Sequence, residues 1–185
     1  DELLAELAPN GVVYRHVSQV VAPIPVTQGV KREHYSGGTM IPIVDQGQGR
    51  IAGYTDDLTV ALPPRPYIVF GDHTRIVKWV DFEFAPAADG TKILEALPGI
   101  LPNVAFYALS NLRVQNRGYN RHWTILRELR VPVPPLPIQQ EIVCTLDRFI
   151  ELGDQLEAEL GARRRQYVAL LGHFLAWGPE VPTVP

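Results

Sequence analysis

The sequence predicts an α+β protein in which a globular mixed-sheet domain is followed by a long C-terminal helix of coiled-coil type. Two textures and the joint between them carry this reading. Before Pro137 the apolar residues fall in short β-rich runs bounded by Gly, Pro and Asp. After it they recur in alternating steps of four and three, the signature of a heptad seam. Between them Val131-Pro-Val-Pro-Pro-Leu-Pro137 places four prolines in seven residues, a stretch with preset φ and few N–H donors that cannot enter a sheet or helix interior.

In chain order, a helix is expected over residues 2–7. Strands are expected over residues 12–21, 40–44, 50–54, 58–62, 67–70 and 76–80. Pro102 opens a second helix over residues 103–112, and a last strand is expected over 125–131. The domain therefore spans 1–130, the proline-rich hinge 131–137, the helix 138–177, and a tail 178–185 that Gly178-Pro179 separates from the helix. The seam runs through Ile142, Leu146, Phe149, Leu156, Leu160, Tyr167, Leu170 and Phe174, and its phase survives Gly153 and Arg163. A helix of about 40 residues is roughly 60 Å long. An apolar seam of that length needs a partner helix; the other arrangements are a helix folded back on the domain, or two helices broken near Gly153 or Gly161.

The charge balance bounds the function. The net charge is −3, yet residues 1–137 hold 13 basic and 13 acidic side chains, so the excess belongs wholly to the helix and tail. The single cysteine, Cys144, excludes an internal disulfide and a four-cysteine zinc site, which points to a reducing cytoplasm. No apolar run reaches transmembrane length, and the acidic start Asp-Glu-Leu-Leu-Ala-Glu lacks the basic character of a signal peptide. Catalytic patterns are missing. Ser18, Ser36 and Ser110 sit in no nucleophile elbow, and no zinc-protease or P-loop pattern occurs. Gly47-Gln-Gly-Arg-Ile-Ala-Gly53 has the wrong spacing for a dinucleotide loop, and His73 reads as a structural group in a turn. Neither a cofactor nor a metal is expected.

One window has the chemistry of base readout. Ser110-Asn-Leu-Arg-Val-Gln-Asn-Arg-Gly-Tyr-Asn-Arg-His-Trp-Thr124 carries three arginines, four amides and two aromatics with no acid. Arginine forks match guanine or phosphate, amides match adenine, and aromatics stack. Arg113, Gln115, Asn116, Arg117, Tyr119, Asn120, Arg121 and His122 are the candidates, against the alternative of a plain solvated loop; Trp123 reads as core. Weaker clusters add Lys31 and Arg32, Gln48 and Arg50, and Arg75 and Lys78.

The hinge and helix start, Val131-Pro-Val-Pro-Pro-Leu-Pro-Ile-Gln-Gln-Glu-Ile-Val with Leu146-Asp147, resemble the conserved helical region in specificity subunits of type I restriction-modification enzymes. Arg165-Gln-Tyr167 is similar to that region's arginine-glutamine-tyrosine signature. Phe70-Gly-Asp-His-Thr-Arg75, Ala88-Asp-Gly-Thr-Lys-Ile93 and Gly118-Tyr-Asn-Arg-His-Trp123 resemble motifs of target recognition domains. The resemblance implies a non-catalytic subunit that reads one half of a bipartite site on double-stranded DNA and docks separate modification and restriction subunits. A full subunit of that family has two recognition domains and two helices, so one of each implies a half-subunit or fragment that pairs, as a homodimer or with a different half-subunit, through the helix. The rival reading is an adaptor that assembles by its helix and binds a peptide or ligand with its domain.

Overall fold

A computed structural model describes residues 6–9, 11–26, 28–36, 40–118 and 120–176. Its contacts separate residues 1–142 from residues 143–185, so the first helical turns after the proline run belong with the domain.

The domain is organised by strand β5, Tyr67–Gly71, every residue of which is buried. The two-residue period of a strand splits its side chains between two cores. Ile68 and Phe70 join Leu94, Val17, Val20, Ala105, Leu109, Leu126 and Val131 on one face. Tyr67 and Val69 join Val44, Val80, Phe84 and Ile93 on the other. Around β5 an antiparallel sheet forms in the order β2-β8-β5-β6, with β2 at Val21–Pro23, β6 at Val77–Val80 and β8 at Thr91–Ala96. Helix α1, Pro102–Ser110, packs on β5, β6 and β8, and Pro102 occupies its first turn, where no intrahelical N–H bond is lost.

A second sheet, β4-β3-β7, combines β3 (Ile41–Val44) antiparallel to β4 (Gly53–Thr55) and parallel to β7 (Ala85–Pro86). It has its own core of Val30, Ile41, Ile43, Val60, Ala85 and Ala87. A two-stranded ribbon pairs β1 (Val13–His16) with β9 (Arg130–Val133). Part of the proline run is thus a strand in an edge pairing, the setting in which proline is tolerated.

Several expectations change in detail. Residues 12–21 are two strands separated by a 3-10 turn at Val17–Gln19. Residues 58–62 form no strand: Asp57 accepts from the Thr59 amide at 3.0 Å and starts a 3-10 turn at Leu58–Val60, leaving only Leu62 bridged to Phe84. Residues 125–131 divide into a helical turn, α2 (Trp123–Leu126), and then β9, because the Asp72 carboxylate accepts from the Trp123 amide at 2.7 Å and nucleates the turn from outside. Strands β7 and β8 were not foreseen. Of the helix expected over residues 2–7 only Glu6 and Leu7, both helical, are described, and the Gly178-Pro179 stop also lies outside the described residues.

The long helix α3 runs unbroken from Leu136 to Ala176, so Gly153 and Gly161 do not divide it. Its first turn is held to the domain by Gln139, which is only 1% exposed. The amide oxygen of Gln139 accepts from the Leu101 N–H at 2.8 Å, and its nitrogen donates to the carbonyls of Pro134 at 2.9 Å and Gly99 at 3.1 Å. From Phe149 to Phe174 the seam side chains are exposed, among them Phe149 at 66%, Leu156 at 58% and Phe174 at 64%, whereas Leu146 is half-buried.

Candidate nucleic-acid interface

Three loops meet at the end of β5: residues 45–52 between β3 and β4, the turn at 72–76 that follows β5, and residues 111–122 between α1 and α2. The first is tied by Lys78 and Gln46. Lys78, inside β6, donates to the carbonyls of Asp45 at 2.7 Å and Gly49 at 2.6 Å and lies 3.4 Å from the Asp45 carboxylate. Burial pushes the Lys78 ammonium below its usual pKa, and the Asp45 charge opposes that shift. Gln46 accepts from the His73 amide through its side chain at 3.1 Å and from the Thr74 hydroxyl through its carbonyl at 2.6 Å. Gly90, at φ +62°, lets this contact close, since a Cβ there would stand 2.6 Å from both Gln46 and His73.

The third loop is tied by Arg75 and His122. Arg75 has φ 66°, a left-handed conformation rare for a residue with a Cβ, and from it the guanidinium donates to the Val114 carbonyl at 3.1 Å. His122 is fully buried, with Nδ1 2.9 Å from the Asp72 carbonyl and Nε2 accepting from the Arg117 amide at 3.2 Å. A backbone amide only donates, so Nε2 is the bare nitrogen and Nδ1 carries the proton given to Asp72. The loop tip is a tight turn: Asn116 Oδ1 accepts from the Gly118 amide at 3.0 Å, Gly118 has φ 71°, and Asn120 donates to the Arg117 carbonyl.

This frame sorts the candidates. Arg113, Gln115, Asn116, Arg117, Asn120 and Arg121 are exposed on one loop, and none of the ion pairs among the described residues involves its three arginines. Gln48 is exposed on the neighbouring loop. Lys31 and Arg32, also exposed, line a groove of about 350 Å³ with Gln46, Gly47 and Asp89, though Lys31 stands 3.9 Å from Glu33. Arg50 is engaged elsewhere, its guanidinium 5.1 Å above the Phe82 ring and 3.8 Å from Asp81.

Two candidates need correction. His122 and Lys78 are buried with their polar atoms committed to the loops, so neither presents an atom to a base or phosphate; they shape the surface from beneath. Arg75 is half-buried and gives one guanidinium nitrogen to Val114. Tyr119 lies outside the described residues. Trp123 packs against Phe70 with ring centroids 6.3 Å apart, at the margin of the core. Asp45 and Asp72 were missed as framework residues; the one legible signal was an acid at the end of each apolar run, Asp45 directly after Ile41-Pro-Ile-Val and Asp72 one glycine beyond Tyr67-Ile-Val-Phe.

No group of three or more His, Cys, Asp or Glu among the described residues could hold a metal ion, and no described helix is long and apolar enough to cross a membrane.

Comparison with known proteins adds three findings. Residues 31–162 match the family model of the type I restriction modification DNA specificity domain. The chain is 31% identical over 157 residues to the Escherichia coli type I restriction enzyme EcoR124I/EcoR124II specificity subunit, covering 77% of this chain but 39% of that protein. Among solved structures, the type I restriction-modification S subunit from M. genitalium aligns with a TM-score of 0.61 at 18% identity, over 84% of this chain and 44% of that one. The HsdS subunit from Thermoanaerobacter tengcongensis aligns with a TM-score of 0.52 at 17% identity, over 82% and 42% respectively. The matched part of the chain therefore covers 39–44% of the length of these relatives.

Proposed function

Since the chain belongs to the type I restriction-modification DNA specificity family, we propose that it reads one half of a bipartite DNA target through the loop at residues 113–121. One observation carries this reading: three guanidiniums stand exposed, with no acidic partner among the described residues, on a loop that is braced from beneath at several points. Arg113, Arg117 and Arg121 supply phosphate or guanine contacts, and Gln115, Asn116 and Asn120 supply amides for adenine. Gln48, Lys31 and Arg32 extend the surface. The chain performs no chemistry; methyl transfer and cleavage come from the modification and restriction subunits it docks, in the cytoplasm where the DNA is.

The seam of α3 supports pairing with a second helix, from another copy or a different half-subunit. In an antiparallel pair each recognition domain is joined to an opposite end of a rod roughly 60 Å long. A DNA turn advances about 34–36 Å, so the two half-sites are separated by a fixed spacer on the order of one to two turns.

The test is a salt titration on duplexes selected from a randomised pool. Three neutralised phosphates give a slope of log affinity against log salt of about −2.7, and each Arg→Ala change flattens it by about 0.9. Asn120→Ala instead keeps the slope and loses about 1–3 kcal/mol of discrimination at one base pair. Salt-independent binding, or unchanged affinity in Arg117→Ala, Asn120→Ala and Arg121→Ala alike, refutes the assignment.

A further inference from the structure

We infer that His122, set on Asp72, is a positioning residue for sequence selectivity: it fixes the conformation in which the loop at 113–121 meets DNA. The inference rests on the reading of that loop as the recognition surface. The geometry behind it is a two-sided contact. The ring is fully buried, and its two nitrogens face opposite ways, one to the carbonyl of Asp72 on the β5–β6 turn and one to the amide of Arg117 in the loop. The main chain makes the same junction, with the His122 amide donating to the Asp72 carbonyl at 2.8 Å. The Asp72 carboxylate, itself 2% exposed, accepts from the next amide, that of Trp123, at 2.7 Å. Asp72 and His122 thus join the rigid end of the buried strand to the loop across fifty positions of sequence.

The contact acts on one end of the loop while Arg75 acts on the other, through the Val114 carbonyl. Between these anchors the bonds among the described residues are those of the loop's own turn at 116–120. The position of the Arg117 backbone relative to the sheet is therefore set by His122. A charge contact to phosphate tolerates a displacement of an ångström or so, because it is Coulombic and long in range. A paired hydrogen bond to a base edge does not, because it weakens steeply with distance and angle. Loss of the histidine contact should consequently erode selectivity more than it erodes attraction to DNA as a polyanion.

The experiment is selection of duplexes from a randomised pool by the full chain and its variants, followed by sequencing and by titration with the selected and the unselected pools. His122→Phe keeps a buried ring and removes both polar contacts. His122→Asn keeps a donor at the position of Nδ1 and gives up the bond to Arg117. Ile41→Val trims the core of the other sheet and serves as the control for general loosening. The expected result for His122→Phe is at least a tenfold fall in the ratio of selected to unselected affinity, with a motif blurred at some positions; His122→Asn should fall between it and the wild type. If His122→Phe fails to fold, a tenfold fall in His122→Asn alone supports the same conclusion. A wild-type motif and ratio in both histidine variants overturns the inference, as does an equal loss of selectivity in Ile41→Val. If the wild-type chain enriches no motif, the reading of the loop as a recognition surface falls, and this inference with it.

Discussion

The junction at Gln139 makes a quantitative prediction about stability. Gln139→Met preserves length and apolar packing but removes one acceptor and the donors serving two carbonyls. The three freed groups do not suffer equally. Gly99 is exposed, so its carbonyl returns to water at little cost. The Leu101 amide and the Pro134 carbonyl face a side chain that is 1% exposed, and water does not follow the methionine in. Two orphaned neutral groups at about 1–3 kcal/mol each, with no cavity term, give a loss of about 2–6 kcal/mol. Gln139→Glu should cost more, because a carboxylate oxygen then faces two carbonyls while only the Leu101 contact survives. Urea unfolding of the full chain, followed by hydrogen exchange at the Leu101 amide, measures both the magnitude and its location. A Gln139→Met protein within about 0.5 kcal/mol of wild type, with the Leu101 amide as protected as before, would show that the contact is incidental.

Lys78→Met should free the loop at 45–50, leaving the Asp45 and Gly49 carbonyls without their donor and costing about 1–3 kcal/mol for each that water cannot reach, measurable by exchange at residues 46–50. Because the folded Lys78 pKa lies below the usual 10.5, the unfolded Lys78 binds more protons in the window just beneath that value; this group therefore makes stability rise with pH there, a contribution that Lys78→Met should remove. Asp57 shows the opposite linkage: the Thr59 hydroxyl and then the Thr59 amide hold its carboxyl below the usual 3.8, so its contribution is present above that pH and is lost as pH falls through the folded value, which Asp57→Ala should show as a flatter acid limb. Leu156→Asp with Leu160→Asp should leave a folded monomer that binds a split target at least tenfold more weakly than wild type; light scattering that shows the wild-type chain to be monomeric at micromolar concentration refutes the proposed pairing.

What the sequence disclosed tracks how local each determinant is. The central strand was legible because Tyr67-Ile-Val-Phe combines β-branched and aromatic residues between turn residues, and its burial follows from the same composition. The long helix was legible because a period of 3.5 persists over many residues, a signal that two glycines do not erase. Strand β8 was not, since Thr91-Lys-Ile-Leu-Glu-Ala96 mixes helix formers with strand formers and is made a strand by pairing with β5 and β2. The helical turn at Trp123 depends on a carboxylate fifty-one positions away, and the anchoring role of Gln139 depends on a contact thirty-eight positions away. Composition picked out the loop at 110–124, but which of its residues face outward was decided by Asp72, and so His122 was placed on the wrong side of the surface.

The charge of the domain illustrates the same point at larger scale. A net charge of zero over residues 1–137 argues against a DNA-binding surface only if acids and bases are evenly mixed. They are not. Glu33 stands beside Lys31, Asp45 beside Lys78, Asp81 beside Arg50, Glu95 beside Arg65 and Glu128 beside Arg127, so much of the acidic charge is matched locally by a base outside the loop at 113–121. Asp72, the acid nearest that loop in its contacts, is buried and turned to the Trp123 amide rather than outward. What the loop presents to solvent is therefore the charge of Arg113, Arg117 and Arg121, which no ion pair among the described residues offsets. On the proposed reading, that charge would hold a duplex against the loop while the amides at 115, 116 and 120 sample its bases, without an excess of positive charge elsewhere in the domain.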